Sequence, residues 1–276
     1  MQTRTVADAT RMMRMTTAEL RANYLVENLF QPGTVQLVYT DVDRAIVGGI
    51  VPTTQKLALE ASKELAATYF TERREIGVLN LGGKGTITVD GKEFALPKRS
   101  CLYIGRGSQK IDFSSADPKD SAWFYLISYP AHTSHPTRLA TEADAEPVEL
   151  GSQRDANQRT ILKYIHTKGI TSCQLVMGFT ILKEGSIWNT MPPHTHARRS
   201  EVYLYIDVAP DAAVFHCMGT AQETRHLVVH NGEAVLSPPW SIHCGAGTRN
   251  YGFVWAMGGE NQEFTDMDQI AVKDLR

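Results

Sequence analysis

Three residues within eight positions, His194, His196 and Glu201 in MPPHTHARRSEVYLYIDV, have the types and spacing of half a metal site. Side chains alternate faces along an extended strand, so a histidine pair at i and i+2 aims both imidazoles to one side. Glu201 follows His196 by five positions, an odd offset that faces away on an unbroken strand. The sequence therefore predicts a bend or bulge through Ala197, Arg198, Arg199 and Ser200 that returns the carboxylate to the histidines. A fourth ligand must come from elsewhere, and His243 in SPPWSIHCGAG is the best candidate. Three imidazoles and one carboxylate suit zinc, iron, manganese, nickel or copper; ligand softness alone does not choose among them. His132, His135, His216, His226 and His230 lack an i, i+2 partner and are read as hydrogen-bonding histidines outside the metal site.

These ligands need a rigid frame. Residues 16 to 30 read as a helix, with Thr16 to Glu19 as a capping box and Leu20, Tyr24, Val26 and Leu29 as an apolar stripe. Beyond it the chain turns to short β-rich runs broken by Gly, Pro, Asp or Lys, such as QLVYT, EIGVLNL, SCLYIG, WFYLISY, SEVYLYIDV and YGFVWAMGG. Such runs, with no long helix between them, disfavour a parallel βαβ arrangement and argue for antiparallel sandwiches or barrels. DANQRTILKYIH, near residues 154 to 165, has a mixed pattern that allows a helix bridging two halves.

Composition narrows the partners. The chain has 276 residues and a net charge of −2, with no Lys/Arg-rich block, so nucleic acid is not an expected partner. No run approaches a membrane span and the N-terminus is too polar for a secretory signal, which points to the cytoplasm. The four cysteines have neither CxxC spacing nor the density of a disulfide framework and are expected to be reduced, with Cys244 a buried structural thiol.

The two halves echo each other. Arg73-Arg74-Glu75-Ile76 parallels Arg198-Arg199-Ser200-Glu201, and Gly91-KEFAL-Pro97 parallels Gly232-EAVLS-Pro238. Aligned on the prolines, Leu102 falls opposite His243; aligned on the arginines, Tyr69 and Thr71 fall opposite His194 and His196. The expectation is an internal duplication: an N-terminal barrel without metal ligands over residues 1–150, carrying the N-terminal helix, and a C-terminal barrel with the metal over residues 151–276.

The β-rich context with HxH, a following Glu and a distant His resembles the cupin superfamily. Its first motif appears as His194-Thr-His196-(x)4-Glu201, although the nearest upstream glycine, Gly185, sits too early, and its second as Gly232-(x)5-Pro238 to His243, with Trp240 where glycine is usual. NTMPPHTHARRSEVYLYIDV, SCQLVMGFT, QETRHLVV, SPPWSIH and GGENQEFTDMDQIAVKDLR together are similar to the 5-dehydro-4-deoxy-D-glucuronate isomerase family, over nearly the whole chain from residue 39. The resemblance implies a mainly β bicupin of two antiparallel jelly-roll barrels with a few short helices. It implies one Zn2+ per chain, or another divalent metal, held in the C-terminal barrel by His194, His196, Glu201 and His243. It also implies a homo-oligomer, commonly a hexamer, acting in the breakdown of pectin and related uronates.

Moving a carbonyl one carbon along an open-chain uronate needs a Lewis acid, a proton shuttle and a partner for the carboxylate. Tyr203 and Lys163 are the candidates for the shuttle, with Tyr205 and His166 also within reach, and Arg198, Arg199 and Arg225 are the candidates for the carboxylate. Rival readings are 5-deoxyglucuronate isomerase, an iron-dependent cupin dioxygenase and a non-enzymatic sugar-binding cupin.

Overall fold

The computed structural model of the chain describes residues 1–263 and 265–276. By its internal contacts the chain divides into two units that are interleaved in sequence. The first holds Met1–Arg4, Asn28–Ala145 and Tyr164–Val176; the second holds Thr5–Glu27, Glu146–Lys163 and Met177–Arg276.

Each unit is built from two sheets. In the first, a seven-stranded sheet runs in the order Gln2–Arg4, Val35–Thr40, Ile46–Ile50, Phe124–Pro130, Arg74–Asn80, Cys101–Ile104, Arg138–Ala140. A four-stranded sheet runs Leu57–Ala58, Ile111–Ser115, Gly85–Val89, Lys92–Leu96. Pairing is antiparallel except between Gln2–Arg4 and Val35–Thr40. The second unit repeats the scheme. Its seven-stranded sheet carries Arg199–Ile206 between Gly252–Gly259 and Ala234–Ser237, and its five-stranded sheet carries His243–Gly247 between Val214–Thr220 and Trp188–Thr195.

The helix at residues 16 to 30 is shorter than its stripe suggests. It spans Thr17–Tyr24 with the capping box in place, Thr16 Oγ1 accepting from the Glu19 amide at 3.3 Å and Glu19 Oε2 accepting from the Thr16 amide at 2.7 Å. Leu25 and Val26 then leave the helix to pair with Val235 and Ala234, so β-pairing captures the last apolar residues of the stripe. The same pairing assigns this segment to the second unit, not to the N-terminal barrel. At residues 154–165 a strand, Arg159–Ile165, stands in place of a helix, because Thr160, Ile161 and Ile165 favour the pleated surface they pack on.

The duplication is correct in its first anchor and misplaced in its second. Arg74–Asn80 and Arg199–Ile206 occupy the same sheet position, each opening on the second arginine of its pair. Gly91, however, sits in the hairpin before Lys92–Leu96, whereas Gly232 sits one hairpin later, before Ala234–Ser237. Both glycines have positive φ, +84° and +81°, and a turn glycine recurs at hairpin after hairpin, so it cannot fix register. Leu102 consequently lies on the counterpart of Ala234–Ser237, while Tyr69 and Thr71 lie in a connection, with Thr71 donating to the Ser108 carbonyl. By strand order and register, the counterparts of His194, Glu201 and His243 are Leu59, Ile76 and Ile111. All three are buried in one apolar cluster with Val78, Ile87 and Phe113. Ile111→Ala should cost about 2–4 kcal/mol of stability by leaving a cavity, read by chemical denaturation, and leave metal content per chain unchanged.

The segment 164–176 is tied into the first unit by a buried carboxylate. Glu75 accepts the backbone N–H groups of Cys173 at 2.7 Å and of Gln174 and Leu175 at 2.9 Å, and the Tyr103 hydroxyl donates to it at 2.8 Å. Glu75→Ala orphans all four donors and should lower unfolding stability by about 3 kcal/mol or more, measured as a shift in the denaturation midpoint. The four cysteines form no disulfides, and Cys244 is buried opposite Cys217. No described helix is long and apolar enough to cross a membrane.

Candidate metal centre

His194 lies near the end of the strand Trp188–Thr195 in the smaller sheet of the second unit, His196 just beyond it, and Glu201 in Arg199–Ile206 of the larger sheet. The odd offset is thus resolved by a turn from one sheet to the other, closed by the Arg199 amide donating to the His196 carbonyl at 3.2 Å, instead of by a bulge in one strand. His243 opens the neighbouring strand and pairs directly with His194.

Four donor atoms converge in the interior. His194 Nε2 lies 3.0 Å from His196 Nε2 and 3.1 Å from His243 Nε2, and Glu201 Oε2 lies 3.0 Å from the Nε2 atoms of both His196 and His243. One ion bound at about 2.1 Å holds its adjacent ligand atoms about 3.0–3.4 Å apart, so the set fits a single divalent cation. All four side chains are buried. Outer contacts set the tautomers. His196 Nδ1 lies 2.8 Å from the Asp266 carbonyl, an acceptor only, so this nitrogen carries the proton and Nε2 keeps its lone pair for the centre. Ser237 Oγ lies 3.2 Å from His243 Nδ1.

Electrostatics agree with that use. Burial, followed by the neighbouring His243, holds His194 down at about 3. Burial pushes the Glu201 carboxyl up, but His243 beside it and the contacts of His196 and His243 with Oε2 outweigh burial and leave it well below the carboxylate range. Deeper in, His216 is completely buried with its Nδ1 2.7 Å from the Tyr205 hydroxyl, and burial holds it at about 3. Two imidazoles whose folded pKa lies below the ordinary 6.5 bind fewer protons than they do in the unfolded chain. Stability should therefore be full above pH 6.5 and fall as pH drops from 6.5 toward 3. The melting temperature of chelator-treated protein across that range checks this; a flat profile would contradict it.

The centre opens on a cavity of about 250 Å³, whose wall includes Arg159, Thr190, Tyr203, Trp255 and Gln269. Tyr203 lies 3.3 Å from Thr190 Oγ1, and burial together with Glu201 raises its phenol well above the ordinary range, so it is present as the neutral acid. Trp255 donates to Thr180 Oγ1 at 3.1 Å, and its ring has room because residue 178 is glycine; a Cβ there would stand 2.1 Å from the indole.

Several expected residues lie elsewhere. Lys163 and His166 do not line this cavity; Lys163 is farther along the strand that contributes Arg159 and Ile161. Arg198 grips Asp266, Nε lying 2.8 Å from Oδ2. Arg199 is buried and donates to the Glu263 and Asp266 carbonyls, so both arginines fasten the segment that holds His196. Arg225 donates to Glu223 and to the Met13 carbonyl at 2.5 and 2.6 Å. The arginine that lines the cavity is Arg159, its Nη1 donating to the Asn157 carbonyl at 2.9 Å; sequence reasoning missed it because its strand read as a possible helix.

A family model described as KduI/IolB matches residues 24–274. The chain belongs to the KduI/IolB family. Three relatives in this family bear the name 4-deoxy-L-threo-5-hexosulose-uronate ketol-isomerase. That from Shouchella clausii is 53% identical over 95% of both chains, and those from Caldicellulosiruptor bescii and Dickeya dadantii are each 48% identical over 100% of both. Among solved structures, an IolB-like protein from Salmonella typhimurium has a TM-score of 0.74 at 13% identity, covering 90% of this chain and 97% of its own. Bacillus subtilis oxalate decarboxylase has a TM-score of 0.56 at 11% identity, covering 83% of this chain and 71% of its own. These likenesses carry the cupin-like fold of the KduI/IolB family member.

Proposed function

We propose that this protein is a metal-dependent aldose–ketose isomerase converting 5-dehydro-4-deoxy-D-glucuronate to 3-deoxy-D-glycero-2,5-hexodiulosonate, a step of pectin and uronate breakdown. The observation that carries the reading is the buried three-histidine, one-glutamate cluster opening on a cavity that also holds a neutral phenol and a guanidinium. The names of relatives near 50% identity support the same substrate. The ion is taken as zinc, one per chain, and the active form as a cytoplasmic homo-oligomer, a hexamer by family likeness; metal analysis and light scattering test these points.

When bound, a divalent cation supplies Lewis acidity toward a carbonyl and the hydroxyl beside it. His194, His196, Glu201 and His243 would hold it, Glu201 through Oε2, which lies 3.0 Å from the Nε2 atoms of His196 and His243. Arg159 binds and orients the substrate carboxylate, in the role expected of Arg198, Arg199 or Arg225. Tyr203, a neutral acid, donates a hydrogen bond to a substrate oxygen, while Phe253, Trp255 and Met257 keep water from the wall. Lys163 has no part in this scheme. Tyr203→Phe should lower kcat by about 10²–10³-fold with metal content unchanged.

The family description spans two related isomerases, so the deciding assay offers the metal-loaded protein both 5-dehydro-4-deoxy-D-glucuronate and 5-deoxyglucuronate. Turnover of the first supports the reading; turnover of the second alone, or iron-dependent oxygen uptake, overturns it.

A further inference from the structure

The first unit has a second cavity, about 490 Å³, with Tyr39, Arg44, Arg73 and Arg74 in its wall. Arg74 is 7% exposed, and every acceptor it has is neutral: Ser128 Oγ at 3.1 Å, the Ser128 carbonyl at 2.8 Å and the Arg44 carbonyl at 2.5 Å. Among the described residues neither Arg44 nor Arg74 has a carboxylate partner, while Arg73 reaches Glu72 at 2.7 Å and the carbonyls of Leu65 and Ala66. Glu64, the one acid in the wall, is exposed. A buried guanidinium without a counter-charge is costly.

The duplicated unit shows what this pair of arginines accepts. Arg198 and Arg199 are the counterparts of Arg73 and Arg74, and there a chain segment covers them. Arg198 pairs with Asp266 and, at 3.4 Å, with Asp268; Arg199 donates to Asn261 Oδ1 at 3.4 Å and to the Glu263 and Asp266 carbonyls. In the first unit the described residues provide no such acidic segment, and an open cavity flanked by three guanidiniums stands in its place.

We propose that this cavity binds a small anion carrying a carboxylate or phosphate group, attracted by the positive charge that Arg44, Arg73 and Arg74 bring to its wall. The site is separate from the metal centre and does not depend on the isomerase reading.

The test is titration calorimetry of the metal-loaded, full-length protein with inorganic phosphate, D-galacturonate and neutral D-galactose. The expected result is saturable binding of at least one anion with Kd of ~1 mM or tighter, and none of galactose. In the R44Q/R73Q double variant, whose two sites are exposed so that folding is preserved, that binding weakens at least tenfold while metal content and turnover stay unchanged. Whether phosphate or galacturonate binds more tightly identifies the head group. Failure of both anions to saturate, binding undiminished in R44Q/R73Q, or binding lost in Arg159→Gln instead would overturn the proposal.

Discussion

Replacing His243 with alanine is expected to remove stoichiometric metal and to reduce turnover by more than ~10²-fold, since even groups that merely orient metal ligands are commonly worth 10–100-fold. The physical ground is that His243 closes the donor ring, lying 3.1 Å from His194 Nε2 and 3.0 Å from Glu201 Oε2. The strand that carries it is held on both sides by Val214–Thr220 and Trp188–Thr195, so the far-ultraviolet circular dichroism of the variant should match the parent. Elemental analysis of dialysed protein reads the loss directly. One ion per chain with full activity in His243→Ala would place the fourth ligand elsewhere.

The second large effect is expected at Arg159. Arg159→Gln removes the guanidinium found in the cavity wall and leaves a substrate carboxylate facing Ile161, Met257 and Trp255. Truncating one partner of a buried charged pair costs roughly 2–5 kcal/mol, which is about 30-fold to several thousand-fold in kcat/KM. Metal content should be unchanged, because Arg159 does not touch the four ligands. Arg159→Lys should recover little, since a point charge does not replace the bidentate fork. A control substrate with its carboxylate esterified should be turned over equally by parent and variant; a variant that loses activity on acid and ester alike would reduce Arg159 to a structural residue. If the parent isomerises neither uronate, the failure lies with the functional reading and not with this residue.

The site was legible where chemistry is local in sequence. His194 and His196 announce themselves by an i, i+2 spacing that strand geometry translates directly into a shared face. Glu201 was recoverable because a short loop returns it, although a turn between two sheets does so where a bulge was expected. Arg159 was not legible. It stands alone in the sequence, and only the alternation of its strand shows that it points into the same interior as Glu201. The arginines flanking the motif drew attention by proximity, but charges next to a ligand in sequence lie around a turn and here face Glu263 and Asp266. The first unit shows the same division. Its arginine pair marked the correct strand, while turn glycines, which answer only to local φ, shifted the comparison by one hairpin and hid the replacement of ligands by Leu59, Ile76 and Ile111.

The pairing of Leu25 with Val235 has a consequence for how the chain is made. The segment leaves the ribosome ahead of its partner strand, which follows 210 positions later. At about 5–20 residues per second that is a wait of roughly ten to forty seconds, with Leu20, Tyr24 and Leu25 uncovered throughout. Synthesis rate and chaperone occupancy of this nascent segment should therefore govern yield more than the stability of either unit does. Grafting residues 5–27 behind residue 276 with a flexible linker, so that both partners emerge together, offers a direct way to measure that delay.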